Sequence, residues 1–390
     1  MAGTMRGTTA IVGLAETTYY KRGGAEDAEF KLGLMAVRAA AEDAGIDVRD
    51  IDGFCSYSND RNDPTRFHTA LGLHDLKWAS MVWGGGGGGC AGAVAMAAAA
   101  VHAGIATNVV VFRALAQGQF GRFGAASQTG ALQGAAAYTQ PYGQMSPAQS
   151  YAMKVTRFMH DHGVEQSALR AVSLASYYHA QRNPRAVMYG RPLDEEKYDN
   201  SRWIVEPFHL YDCCQENDGA AAVIVTTAER ARDMKNKPVY ILAGGQGSQH
   251  RQSAWAHNAP DYGTSNFKNN AKSMFDMAQV KPEEVDVAQV YENFTGGVVM
   301  SIIEHGLIPV ERANEEFTLD NFRFDGGKLP LNTSGGNLAE CYMHGFELIT
   351  EAARQIRGES TAQVDNPEIS LVAGGPMVEP TSNLLLGAQV

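Results

Sequence analysis

Two seven-residue phrases in this chain superpose without a gap: Ile46-Asp47-Val48-Arg49-Asp50-Ile51-Asp52 and Val280-Lys281-Pro282-Glu283-Glu284-Val285-Asp286. Each follows a stretch with the spacing of an amphipathic helix, and each runs into a short apolar strand, residues 53–56 and 287–291. A glycine-rich turn, a helix and a β-branched strand come next in both halves. These are residues 84–89, 90–103 and 108–112 first, then Gly335-Gly336, 344–356 and 369–373. The pattern is that of an internal duplication. Alternating strands and helices in two similar halves predict an α/β protein with buried mixed sheets.

Residues from about 114 to 215 break the repeat. They carry two helical patterns, 147–162 and 165–181, and are read as an insertion lying over the first half. The expected organisation is an N-terminal half, 1–237, containing this insertion, and a C-terminal half, 238–390. The insertion is locally basic: between Tyr151 and Arg191 stand Lys154, Arg157, Arg170, Arg182, Arg185 and Arg191 against Asp161 and Glu165. Such a face is either solvated or a landing surface for a phosphorylated group.

A formal net charge of −11 argues against a nucleic-acid-binding surface, which needs a field of Lys and Arg. Five cysteines without CxxC spacing indicate reduced thiols in a cytoplasmic protein rather than a disulfide framework or a zinc site. The N-terminus lacks a signal-peptide pattern, and the longest apolar stretch, 91–112, is interrupted by His102, Gly104 and Thr107-Asn108, so no membrane span is expected. The glycine run 84–89 formally contains GxGxxG. The strand after it ends in Phe112-Arg113-Ala114, with no acidic residue for a ribose, which argues against dinucleotide binding.

The stretch Asn332-Thr333-Ser334-Gly335-Gly336-Asn337-Leu338 resembles the Asn-x-x-Gly-Gly segment that precedes the catalytic histidine of the thiolase superfamily, and Ala373-Gly374-Gly375 resembles its C-terminal glycine turn. The resemblance covers nearly the whole chain and implies a thiolase fold: two halves in a layered αβαβα arrangement, with the insertion as a loop domain that holds CoA, here through Arg182, Arg185 and Arg191. The departures are as informative as the matches. The nucleophilic cysteine position falls near Gly87, with Cys90 about a turn into the helix. The second cysteine position is Val372, the histidine position is Tyr342, and the asparagine opening Asn-Glu-x-Phe is Tyr291 in Tyr291-Glu292-Asn293-Phe294. An acyl-cysteine intermediate is therefore not available.

Tyr291–Phe294, the run Cys341-Tyr342-Met343-His344-Gly345, Trp83 with its glycines, Asn200-Ser201-Arg202-Trp203 and Asp212-Cys213-Cys214-Gln215-Glu216 resemble the lipid-transfer-protein-like (sterol carrier protein X-type) branch that acts as aldolases in bacterial steroid side-chain degradation. That resemblance implies retro-aldol cleavage of a β-hydroxyacyl-CoA, such as a 17-hydroxy steroid carboxyl-CoA, into a ketone and a shortened acyl-CoA such as propionyl-CoA. It also implies a homodimer and a small partner bearing an OB-fold and a zinc ribbon. CoA enters only as part of the substrate, with no permanent cofactor or metal.

Such a cleavage needs a group to take the β-hydroxyl proton, donors for the enolate oxygen and an acid for the α-carbon. Tyr342 is assigned to the hydroxyl and Tyr291 to the α-carbon, the reverse order being compatible with the sequence. His344 and Glu292 are placed to assist. Backbone N–H groups near Gly87 and at Gly374 would hold the enolate oxygen, and Asn332 would position Tyr342 or a water. Met145, Met153, Met159, Phe294 and Met343 are candidates for lining a wide apolar pocket. Two other classes fit the loss of the cysteines: a non-catalytic scaffold subunit and a cysteine-independent acyltransferase.

Overall fold

The β-branched runs of the first half form buried strands, and the structure, a computed structural model, describes residues 4–58, 60–122, 132–252 and 259–390. Residues 123–131 of the expected insertion lie outside the described residues. The strands are β1 (Thr9–Glu16), β2 (Tyr20–Lys21), β3 (Gly53–Tyr57), β4 (Trp78–Val82), β5 (Val109–Ala116), β6 (Trp203–Val205), β7 (Phe208–His209), β8 (Asn217–Thr227), β9 (Val239–Gly247), β10 (Val287–Val290), β11 (Ile369–Gly374) and β12 (Thr381–Gly387). The fold is mixed α/β, built on one large central sheet.

One order of pairings occurs twice. In the first half β1 pairs antiparallel with β8, β8 antiparallel with β5, and β5 parallel with β3. In the second, β9 pairs antiparallel with β12, β12 antiparallel with β11, and β11 parallel with β10. Pairing of Ala10 with Tyr240 and of Ile11 with Val239 joins the two into one sheet of ten strands, with β4 at one edge and β10 at the other.

Two helices, Cys90–His102 and Phe346–Arg357, pack against strands of both halves. The first is alanine-rich and its inward residues are fully buried, so small side chains let strands approach on both sides. Helix Glu29–Ala44 covers the outer face of β8 and β1, and Lys268–Ala278 that of β9 and β12. Gly45 ends the former at φ 71°, the left-handed conformation that closes a helix at no Cβ cost.

Two expectations need correcting. The second central helix begins at Phe346, not at residue 344, because His344 and Gly345 have φ of 53° and 83°, which no α-helix accepts. His344 is thereby freed from the helix and turned toward the site. The insertion, in turn, packs on the second half rather than over the first: Ala168, Leu169, Val172 and Ala175 of helix Gln166–Ala180 share a core with Val298, Ile302 and Leu338.

Candidate active site

β10 ends at Val290, and Tyr291 follows immediately, its N–H donating to the Ala373 carbonyl at 2.9 Å. Tyr342 lies in the turn before the second central helix, its N–H donating to Asn217 Oδ1 at 2.8 Å. These two backbone anchors bring the phenols together, with the Tyr291 hydroxyl donating to the Tyr342 hydroxyl at 2.8 Å. Burial pushes both phenols well above the ordinary tyrosine range. The hydrogen bond between them raises Tyr291, the donor, and lowers Tyr342, the acceptor.

The glycine run faces this pair. A Cβ on Gly86 would stand 3.5 Å from the Tyr291 hydroxyl and 3.8 Å from that of Tyr342. One on Gly87 would fall 2.1 Å from the Tyr291 ring. The ring of Tyr291 thus fills the space that a side chain at residue 87, the position the resemblance gives to the thiolase nucleophile, would need. Cys90 is fully buried at the start of its helix, with burial pushing its thiol up to about 12, so it is no nucleophile. Gly374 sits behind the run, where a Cβ would meet Cys90 Sγ at 2.3 Å and the Gly87 carbonyl at 3.0 Å.

Asn332 holds the end of β10 rather than touching a phenol: its side chain accepts from Val290 N–H at 2.7 Å and donates to Val290 C=O at 2.8 Å. Glu292 is wholly buried, accepting from Ser176 Oγ and from Asn337 N–H, both at 2.9 Å, while Asn337 Oδ1 accepts from Glu292 N–H. Burial raises its carboxyl to about 7. Asn337 also donates to Glu347, which accepts from Met343 N–H at 3.2 Å, so one asparagine ties the Tyr291 and Tyr342 segments together. Sequence reading missed Asn217 and Asn337. Asn337 lay inside a quoted run and Asn217 just past one, but the Glu292 and Tyr342 backbones they hold are 45 and 125 residues away.

The tyrosines open on a cavity of about 1790 Å³. His344, Trp83, Tyr151, Tyr177 and Phe294 line it, as does Cys214, whose thiol burial raises to about 12. Of the apolar residues anticipated, only Phe294 is on this wall; Met343 is core, and Met145 and Met153 are part-exposed elsewhere. Arg191 lines the cavity, while Arg182 stacks on Tyr178 at 3.8 Å and Arg185 lies 3.8 Å from buried Glu340. Lys197 and Arg202 share the wall with Arg191. Both follow the stretch in which basic residues had been tallied, which is why their clustering escaped notice. Among the described residues no group of three His, Cys, Asp or Glu side chains is placed to hold a metal ion, and no helix is long and apolar enough to cross a membrane.

A family model described as thiolase C-terminal domain-like matches residues 245–387. The chain is 38% identical, over 98% of its length and all of the relative's, to 17-hydroxy-3-oxo-4-pregnene-20-carboxyl-CoA lyase of Mycobacterium tuberculosis. It is 37% identical, over 98% of both chains, to a steroid side-chain-cleaving aldolase of Thermomonospora curvata. Among solved structures the Ltp2-ChsH2(DUF35) aldolase superposes with a TM-score of 0.92 at 35% identity, covering 99% of each chain.

Proposed function

The chain belongs to the thiolase superfamily, and from that premise we propose that it is an aldolase cleaving a β-hydroxyacyl-CoA, of the 17-hydroxy steroid carboxyl-CoA class, to a ketone and a shortened acyl-CoA. The observation that carries this reading is the hydroxyl pair of Tyr291 and Tyr342 at 2.8 Å, set against a glycine run with no nucleophile. Full-length relatives named as aldolases of this kind support it.

Both phenols are protonated at rest, because burial disfavours the phenolate. The proton therefore moves through the pair. As the Cα–Cβ bond breaks, the β-hydroxyl proton passes to Tyr342 Oη, the Tyr342 proton passes to Tyr291, and the Tyr291 proton passes to the α-carbon, in one concerted relay in which no phenol carries two protons. The hydroxyl oxygen becomes the ketone, and the bonding electrons, which gather transiently as the thioester enolate, end in the new α-carbon–hydrogen bond. Hydroxyl hydrogens rotate, so the pair can relay in this direction. Backbone N–H groups of the glycine turn near Gly87 are the donors for the enolate oxygen, with Gly374 supporting the turn from behind.

Arg191, Lys197 and Arg202 on the cavity wall are the residues for the CoA phosphates. The cavity exceeds the roughly 300–1,000 Å³ of common ligand sites, as a CoA arm with a steroid-sized acyl group requires. The exposed edge of β4, with Met81 and Trp83, is a surface for a second copy. A small OB-fold partner with a zinc ribbon, and a cytoplasmic location for a chain whose five cysteines are all free thiols, belong to the same reading.

The test is to purify the chain with its partner, offer a tertiary β-hydroxyacyl-CoA and follow ketone and shortened acyl-CoA by mass spectrometry. Tyr291→Phe and Tyr342→Phe are each expected to cost at least about a hundredfold in turnover. Unchanged turnover in both would make this chain a scaffold. Acyl exchange without ketone would make it an acyltransferase.

A further inference from the structure

Among the described residues Arg113 is the largest side chain buried almost completely, with 1% of its surface exposed in the middle of β5. One terminal nitrogen donates to the Tyr57 carbonyl at 2.8 Å and to Asp60 Oδ2 at 3.2 Å. The other lies 2.8 Å from His344 Nδ1. A guanidinium carries only N–H donors, so Nδ1 must be the acceptor, and the single hydrogen of the neutral ring sits on Nε2.

The ring is held in other ways too. It stands edge-on to Tyr342, with centroids 4.9 Å apart and planes at 82°. Its residue's backbone, at φ 53°, is held by the Tyr57 hydroxyl, which donates to the His344 carbonyl at 2.9 Å. His344 lines the cavity with both catalytic tyrosines.

We infer that Arg113 is a positioning residue of this site: it fixes His344 as the neutral Nε2–H form, so that His344 serves as a hydrogen-bond donor to substrate oxygen and leaves proton removal to the tyrosine pair. The inference rests on the aldolase reading and deepens it. A second proton on the ring would set an N–H against a guanidinium N–H at 2.8 Å and place two positive charges side by side away from water. The titratable and charged groups around the ring are Arg113, Arg61, Tyr342 and Tyr57, with Asp60 behind the guanidinium, where Ser56 Oγ donates to it at 3.0 Å. Burial first, then Arg113 and Arg61, holds the imidazole well below its ordinary pKa. A neutral donor of this kind offers its hydrogen equally at every pH where the tyrosines are intact, and it gains strength as charge gathers on the oxygen it faces.

The deciding measurement is nitrogen-15 NMR of the full chain labelled at histidine, with His344→Gln used to assign the His344 signals. The wild-type ring is expected as the Nε2–H tautomer, unchanged between about pH 5.5 and 8.5. An Nδ1–H tautomer, or an imidazolium within that range, overturns the inference, and this reading requires neither substrate nor an altered Arg113. Kinetics supply the second arm. Arg113→Met is expected to lower kcat about tenfold or more and to add a fall in rate at acid pH that the wild type lacks. The double variant Arg113→Met with His344→Gln, whose amide donates an N–H but cannot titrate, is expected to lose that acid fall. An acid fall that persists in the double variant, or a profile of unchanged shape in Arg113→Met, also overturns it. His344→Gln should retain at least about ten times the turnover of His344→Ala, and equal rates would show that no donor is used. Absence of ketone from the wild-type complex would sink the aldolase reading instead, while the tautomer would still report on Arg113.

Discussion

The glycine turn of the first half and the tyrosine-bearing turns of the second meet face to face, and they contribute opposite things. The first supplies backbone alone: from residue 84 to 89 there is no side chain, and Cys90 is sealed at the base of its helix. The second supplies the phenols, each anchored by its backbone N–H, and a set of buried asparagines and glutamates beneath them. The two arrangements exclude one another in space. A Cβ on Gly87 and the Tyr291 ring would be 2.1 Å apart, so a nucleophile on the first turn and a phenol on the second cannot coexist without rebuilding. A side chain at residue 87 and the Tyr291 ring are therefore alternatives for one space.

The strongest way to break this comparison is Gly87→Cys, which is expected to reduce turnover at least about a hundredfold and to destabilise by about 1–3 kcal/mol through overpacking. Adding Tyr291→Asn should recover most of the lost stability, read as Tm, without recovering ketone formation. If Gly87→Cys melts like the wild type, the steric exclusion is wrong.

Asn332→Ala tests whether the second turn depends on its hidden polar supports. It strands Val290 N–H and C=O without their partner and should cost about 2–4 kcal/mol in denaturant unfolding, with ketone turnover falling because Tyr291 loses its placement.

Glu292 offers a test by pH. Its carboxyl is raised to about 7 in the fold, above the unfolded value, so the folded state binds the extra proton between about pH 4.5 and 7 and stability falls as pH rises through that window. Glu292→Gln should flatten this part of the stability profile and be the more stable form at pH 8, by up to about 3 kcal/mol. An identical pH profile for variant and wild type would place the carboxylate in a more polar setting than its contacts indicate.

The smallest effect is expected at the cavity rim. Arg191→Ala should raise KM for the CoA thioester about fivefold, whereas Arg182→Ala, stacked on Tyr178 away from the cavity, should leave it unchanged. Equal effects would extend the phosphate site to Arg182.

The α/β class was legible in the sequence, as were the short motifs that carry the glycine turn and the two tyrosines whose hydroxyls the fold brings together, since each shows as periodicity or as a contiguous run. Helical and strand periods depend on neighbours a few residues away, and motif residues keep their spacing along the chain. What only the tertiary structure decided is which groups serve those motifs. Arg113 reaches His344 across 231 positions, Asn217 holds Tyr342 across 125, and Asn337 joins two segments 45 and 10 residues from itself. Arginines at 182 and 185 read as well from the sequence as Arg191, yet only Arg191 faces the cavity. A side chain's direction is set by the packing of elements distant in sequence, and no local pattern encodes it.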